Sequence, residues 1–162
     1  MIEKLQWFLS KYKDLENIDK FCKWFYKKLV LNYFRKWPKY IKERQIWLCY
    51  LGKNIDGEQD WDLETFIRPV LVIKSWGTSI NHITAIPLTT KEKPDKFSFK
   101  LERKKYSFLD YDSYLMLDKI KTISRKRFVA YKPIWYISED DFNTIKEKLK
   151  NLYLDKKKSY IM

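Results

Sequence analysis

Between Phe66 and Thr90 the chain reads FIRPVLVIKSWGTSINHITAIPLTT. Two short apolar runs, Val70-Leu71-Val72-Ile73 and Ile83 to Leu88, flank a polar turn at Trp76-Gly77-Thr78-Ser79. Short β-branched runs bounded by turn residues read as two buried strands of a hairpin. A hairpin brings its far ends together, so Arg68 and Thr89 are expected to be neighbours despite their separation in sequence. A guanidinium fork fixed beside a hydroxyl is a pair suited to phosphate.

The 162 residues suit one domain with an appendage, long enough to bury a core. Lys and Arg number 34 against 21 acidic residues, a net charge of +13, and 18% of the chain is aromatic. That combination favours a polyanionic partner, with aromatic faces available for base stacking. A coding bias toward Lys, Ile, Tyr, Phe and Asn, with alanine only at Ala85 and Ala130, would also raise the charge. Cys22 and Cys49 have no zinc-ligand spacing and form no disulfide framework, so reduced thiols are expected. The opening MIEKLQWFLSKYKD lacks the apolar run of a secretory leader, and no run nears the roughly twenty apolar residues of a membrane span. A cytoplasmic protein, with no membrane partner, is the expectation.

Along the chain, residues 1 to about 36 carry helical periodicity. Ile2, Leu5, Phe8, Leu9 and Tyr12 recur first, then Ile18, Phe21, Cys22, Phe25 and Leu29, with Asn17 as N-cap of the second segment. Lys20, Lys23, Lys27 and Lys28 fall on the opposite face, read as solvated. Pro38 stops the helix. Gln45 to Leu51 reads as a strand, followed by a long loop with Asp56, Glu58, Asp60, Asp62 and Glu64. Such a cluster suits Mg²⁺, but no second carboxylate group completes a cage, so no metal or cofactor is expected. Phe97, Phe99 and Leu101 alternate with polar residues as a half-buried strand, Tyr114 to Leu117 forms another, and Ser124-Arg125-Lys126-Arg127 is a basic turn. Ser138 with Asp141 three residues on caps a final helix whose apolar positions are Phe142, Ile145, Leu149 and Leu152. The acidic Glu139-Asp140-Asp141 then suits the helix dipole rather than a metal. The domain expectation is a helical extension over 1–37, a barrel domain over 38–154 and a frayed basic tail over 155–162.

The blocks IWLCYLGKNI, GEQ, RPVLVI, AIPLTT, LDKIKTI and SEDDFNTIKEKL, in that order from about Gln45 to Tyr153, resemble the MazF/PemK family of toxin–antitoxin endoribonucleases. The resemblance implies a mainly β fold, a small SH3-like barrel with a C-terminal helix. It also implies a homodimer, metal-independent cleavage of single-stranded RNA, and an antitoxin whose acidic disordered tail occupies the RNA groove. The family's arginine falls on Arg68, its threonine on Thr89, and its first-loop glutamate and glutamine on Glu58 and Gln59. Thr90, Lys91 and Lys119 are expected to contact substrate; Lys119 stands where the family often has glutamine. The longer loop before Arg68, Asp56 in place of a first-loop serine, and the N-terminal helices depart from the family pattern.

Metal-free cleavage would use the RNA 2′-OH as nucleophile, with charge stabilisation, a base and an acid supplied by the protein. The lone histidine, His82, lies inside the second hairpin strand, so it offers no histidine pair and reads as structural. Arg68 suits charge stabilisation and proton donation, Thr89 an orienting hydrogen bond, and Glu58 the base. Two other classes stay open from sequence. One is a non-catalytic binding module on the same barrel, as in the related gyrase poisons or an RNA-binding regulator. The other is membrane-surface binding by the basic N-terminal helices.

Overall fold

A computed structural model describes residues 15–34, 36, 38, 40–52, 66–77 and 80–154. The first helical segment, Glu58, Gln59 and the other acidic loop residues, and the 155–162 tail lie outside the described residues. The elements are α1 (Leu15–Tyr33), β1 (Gln45–Tyr50), β2 (Ile67–Ser75), β3 (His82–Thr89), β4 (Ser98–Leu101), β5 (Ser113–Met116), β6 (Lys121–Ser124), β7 (Trp135–Tyr136) and α2 (Glu139–Tyr153). The seven strands form one sheet in the order β4-β5-β3-β2-β1-β7, with β6 also on β3. β3 pairs with β6 through its first half and with β5 through its last two residues, so one long strand serves two partners along the same edge.

The pleat sorts side chains onto two buried faces. Ile46, Leu71, Ile86 and Leu88 turn to the face covered by Phe142, Ile145 and Leu149 of α2. Trp47, Cys49, Val70, Val72, Ile83 and Ala85 turn to the other, where Ile41, Ile123 and Phe128 cover them. Burial on both faces explains why β2 and β3 read as nearly continuous apolar runs rather than alternating ones.

α2 starts as its sequence directs. The Ser138 hydroxyl accepts from the Asp141 amide at 3.3 Å, and Tyr106 donates to the Asp141 carboxylate while Lys105 meets it at 2.7 Å. Burial pushes Asp141 up, but the hydrogen bonds from Lys105 and Tyr106 outweigh it and hold the carboxyl below its ordinary range.

α1 departs from expectation in three respects. It is described from Leu15, so Asn17 lies within the helix rather than capping it. It ends at Tyr33, five residues before Pro38. It also docks by the face opposite the one its apolar periodicity selects. Trp24 and Leu31 are buried, whereas Phe21, Phe25 and Leu29 are 45%, 63% and 41% exposed. Shape decides the contact: Trp24 packs into the space a Cβ on Gly52 would fill, at 1.9 Å, and against the Phe66 ring at 5.3 Å. Lys27 and Lys28 follow that face, 4.8 Å over the Tyr50 ring and 5.6 Å over Trp24.

β4 also starts later than its alternation suggests. Phe97 belongs to a 3-10 turn at Asp95–Phe97 and is exposed, while Ser98 is buried with its hydroxyl donated to the carbonyls of Lys93 and Pro94. The two-residue β7 carries too little apolar pattern to read as a strand. It is fixed by Gln45, whose buried amide donates to the Tyr136 hydroxyl at 2.7 Å and accepts from the Trp47 indole at 2.9 Å.

Candidate active site

β2 enters the sheet at Ile67, and its second residue, Arg68, pairs with Cys49 of β1. On its other side β2 pairs with β3 from Val70↔Pro87. The same register carried two residues further aligns Arg68 with Thr89, the last residue of β3. The two positions share the sheet face of Val70 and Ala85, and both are buried, at 2% and 5% exposure. Burial lowers the Arg68 guanidinium to about 10. It therefore stays charged at neutral pH yet gives up a proton more readily than an exposed arginine.

Thr89 pairs with Tyr114 of β5. Its hydroxyl oxygen accepts from the Lys91 amide at 3.2 Å. That bond fixes the oxygen and leaves the hydroxyl proton to be donated elsewhere. Thr90 and Lys91 follow, both exposed. Beyond them a cavity of about 530 Å³ opens between Glu92, Lys93, Asp95, Ser98, Lys100 and Tyr114, so it adjoins the Thr89 end of β3.

The segment between Gly52 and Phe66, to which Glu58 and Gln59 belong, has both its ends beside Arg68. At its neck the amides of Leu51 and Gly52 donate to the Phe66 carbonyl at 3.0 and 3.5 Å. Phe66 holds a left-handed φ of 57° and Gly52 one of 83°. The glycine adopts it freely, whereas the phenylalanine stores about 1–2 kcal/mol of strain. Lys119 lies along the edge of β3 away from β2, since β5 and β6 both pair with that edge. It belongs to the 3-10 turn Leu117–Lys119 that carries the chain from β5 to β6, with its ammonium 3.8 Å from Asp118. His82 is the first residue of β3 rather than an interior one, is exposed, and pairs with Ser124. Its place at the strand start corrects the expectation that it lies inside the strand.

Two buried or half-buried arginines emerge that sequence reading assigned only to a basic turn. Arg125 is 2% exposed and donates to the Ser75 hydroxyl at 2.8 Å and the Gly77 carbonyl at 3.1 Å, closing the β2–β3 turn. Arg127 donates through Nη1 to the carbonyls of Tyr50 and Leu51 and stacks 5.2 Å from the Trp24 ring. Burial lowers both guanidinium groups. Only the run of cations at 125–127 signals them in the sequence.

Solved structures share the fold at low identity, three of them as follows. The toxin MazF-mt6 of Mycobacterium tuberculosis is 19% identical over 68% of this chain and 96% of its own, with a TM-score of 0.51. An endoribonuclease in complex with its cognate antitoxin, from a mycobacterial species, is 16% identical over 70% and 94%, with a TM-score of 0.50. MazF from Deinococcus radiodurans is 18% identical over 70% and 96%, with a TM-score of 0.50. No curated protein matches the chain in sequence. The family model described as PemK-like, MazF-like toxin of type II toxin-antitoxin system matches residues 42–153, which span β1 to α2 and include Arg68 and Thr89. The chain belongs to that family of toxins.

Proposed function

We propose that the chain is a sequence-specific endoribonuclease that cleaves single-stranded RNA without a metal ion, working as a homodimer and silenced by an antitoxin with an acidic disordered tail. The observation that carries this reading is the alignment of buried Arg68 with buried Thr89 at the paired ends of β2 and β3.

In the proposed reaction the 2′-OH attacks the adjacent phosphorus, and its proton passes to the Glu58 carboxylate. The P–O2′ bond forms as the P–O5′ bond breaks, leaving a 2′,3′-cyclic phosphate. The departing 5′ oxygen takes a proton and becomes a 5′-OH. Arg68 stabilises the charge on the non-bridging oxygens through its fork and, with its lowered pKa, is the proton source for the leaving oxygen. Thr89 donates its hydroxyl proton to a phosphate oxygen, in a direction set by the Lys91 amide. Gln59, Thr90, Lys91 and Lys119 contact flanking nucleotides. The mycobacterial endoribonuclease of similar fold, in complex with its cognate antitoxin, supports the antitoxin as a partner class.

The test is incubation of purified protein with single-stranded RNA in EDTA. Arg68→Ala is expected to slow cleavage by about 10²–10³, the effect of removing one preorganised donor to developing charge. Equal cleavage by the variant would contradict the reading. Intact RNA combined with inhibited DNA supercoiling would favour a gyrase poison instead.

A further inference from the structure

A second cavity, of about 240 Å³, lies between α1 and the 3-10 turn Arg125–Arg127, lined by Lys28, Leu31, Asn32, Ser124, Lys126 and Arg127. Three of these are cations, and none of the described lining residues is acidic. Among the described residues, neutral groups position the Arg127 charge: its Nη1 spans two carbonyls and its guanidinium lies on Trp24. Lys126 donates its ammonium to the Asn32 carbonyl, which ties the turn to α1. The Ser124 oxygen accepts from the Lys126 amide at 3.2 Å, leaving its proton available for donation.

The basic turn runs on into Phe128, which links it to Arg68 through β1. Phe128 bridges to Cys49, and Cys49 pairs with Arg68. That row spans two strand spacings, about 10 Å. We propose that the cavity is a second phosphate site, built by α1 and the basic turn together, that takes a backbone phosphodiester of the RNA strand beyond the cleaved linkage. The proposal rests on the RNA-cleaving reading for its ligand. Its two halves come from different parts of the chain, since Lys28, Leu31 and Asn32 precede the family-matched region and Ser124 to Arg127 lie within it.

The experiment measures binding of short and long random-sequence 2′-O-methyl RNA, which offers no 2′-OH nucleophile, across a salt series. Wild type is compared with Lys28→Ala, Lys28→Arg and Lys28→Ala/Lys126→Ala, with inorganic phosphate as a competitor. Lys28 is exposed, so its replacement leaves the core intact. The expected result is a several-fold loss of affinity for the long RNA in Lys28→Ala, rescue by Lys28→Arg, and a salt slope shallower by about 0.7 for each phosphate contact removed. The short RNA is expected to bind all four proteins alike. Unchanged affinity and slope for the long RNA in the double variant would overturn the proposal. So would inorganic phosphate binding that the double variant abolishes while phosphate leaves the wild-type affinity for the long RNA unchanged, because the cavity would then be a free-phosphate site. If wild type cuts no RNA while Lys28→Ala still loses long-RNA affinity, the nuclease reading fails and the phosphate site stands.

Discussion

A guanidinium at 2% exposure surrenders most of its hydration, and the Arg68 pKa falls to about 10 as a result. The same burial sharpens its use, because donors in a dry site act on developing charge more strongly than in water. Raising the pH through about 10 is therefore expected to abolish cleavage as Arg68 loses its charge, and a pH–rate profile checks this against the stability of the fold. In the proposed reaction Thr89 contributes one oriented hydrogen bond to a charged group, typically about 1.5–3 kcal/mol. Thr89→Val is accordingly expected to slow cleavage roughly 10- to 100-fold, with Thr89→Ser retaining most of the rate in the same assay. That Arg68 and Thr89 are neighbours is legible in sequence because a hairpin brings its far ends together. The exact partner is not: counting outward from Ser75↔Ile83 sets Arg68 opposite Thr90, and the one-residue irregularity between Val72 and Lys74 shifts the register so that Val70↔Pro87 holds and Arg68 aligns with Thr89. His82 is similar: a one-residue difference in strand start separates an interior histidine from an exposed one, and sequence pattern does not resolve strand ends to that degree.

At the scale of elements, α2 and α1 show what local sequence can and cannot dictate. α2 is legible throughout, because its cap, its acidic first turn and its Phe142-Ile145-Leu149 stripe all point to the same helix. Ser138→Ala is expected to cost about 0.5–2 kcal/mol, read as a lowered denaturant midpoint. Its neighbour Asp141 has a depressed carboxyl, so its contribution is present above the unfolded pKa of about 3.9 and is lost as pH falls through the lower folded value. Asp141→Asn is expected to flatten the acid limb of the stability curve. α1 has a stronger apolar stripe on the side it leaves exposed than on the side it buries, so periodicity alone selects the wrong face. What decides is complementarity between distant residues, Trp24 with Gly52, Phe66 and Arg127, which no local pattern contains. Gly52→Ala puts a methyl group into the Trp24 ring and strains a φ of 83°. It is expected to release α1, seen as faster hydrogen exchange over residues 15–33 with the strands unchanged. In a Trp24→Ala background the same substitution is expected to cost only its backbone strain.

For the whole molecule, the net charge is +13, and because the two faces of the sheet are covered by apolar residues, the exposed cations among the described residues lie at places outside those faces. Lys28, Lys126 and Arg127 gather at one such place, beside the strand row that leads to Arg68. Composition makes a polyanion partner legible, but only the packing of α1 on the basic turn says where a phosphate would sit. The sheet order is likewise invisible to local pattern, because β3 divides its length between β5 and β6 and β7 is two residues long. No described helix is long and apolar enough to cross a membrane. The central claim concerns chemistry at Arg68, and analysis of RNA ends tests it most directly. Wild-type protein in EDTA is predicted to leave 2′,3′-cyclic phosphate and 5′-OH ends, with Arg68→Ala slowed by about 10²–10³. Products ending in a 5′-phosphate, or equal rates for the two proteins, would contradict the account.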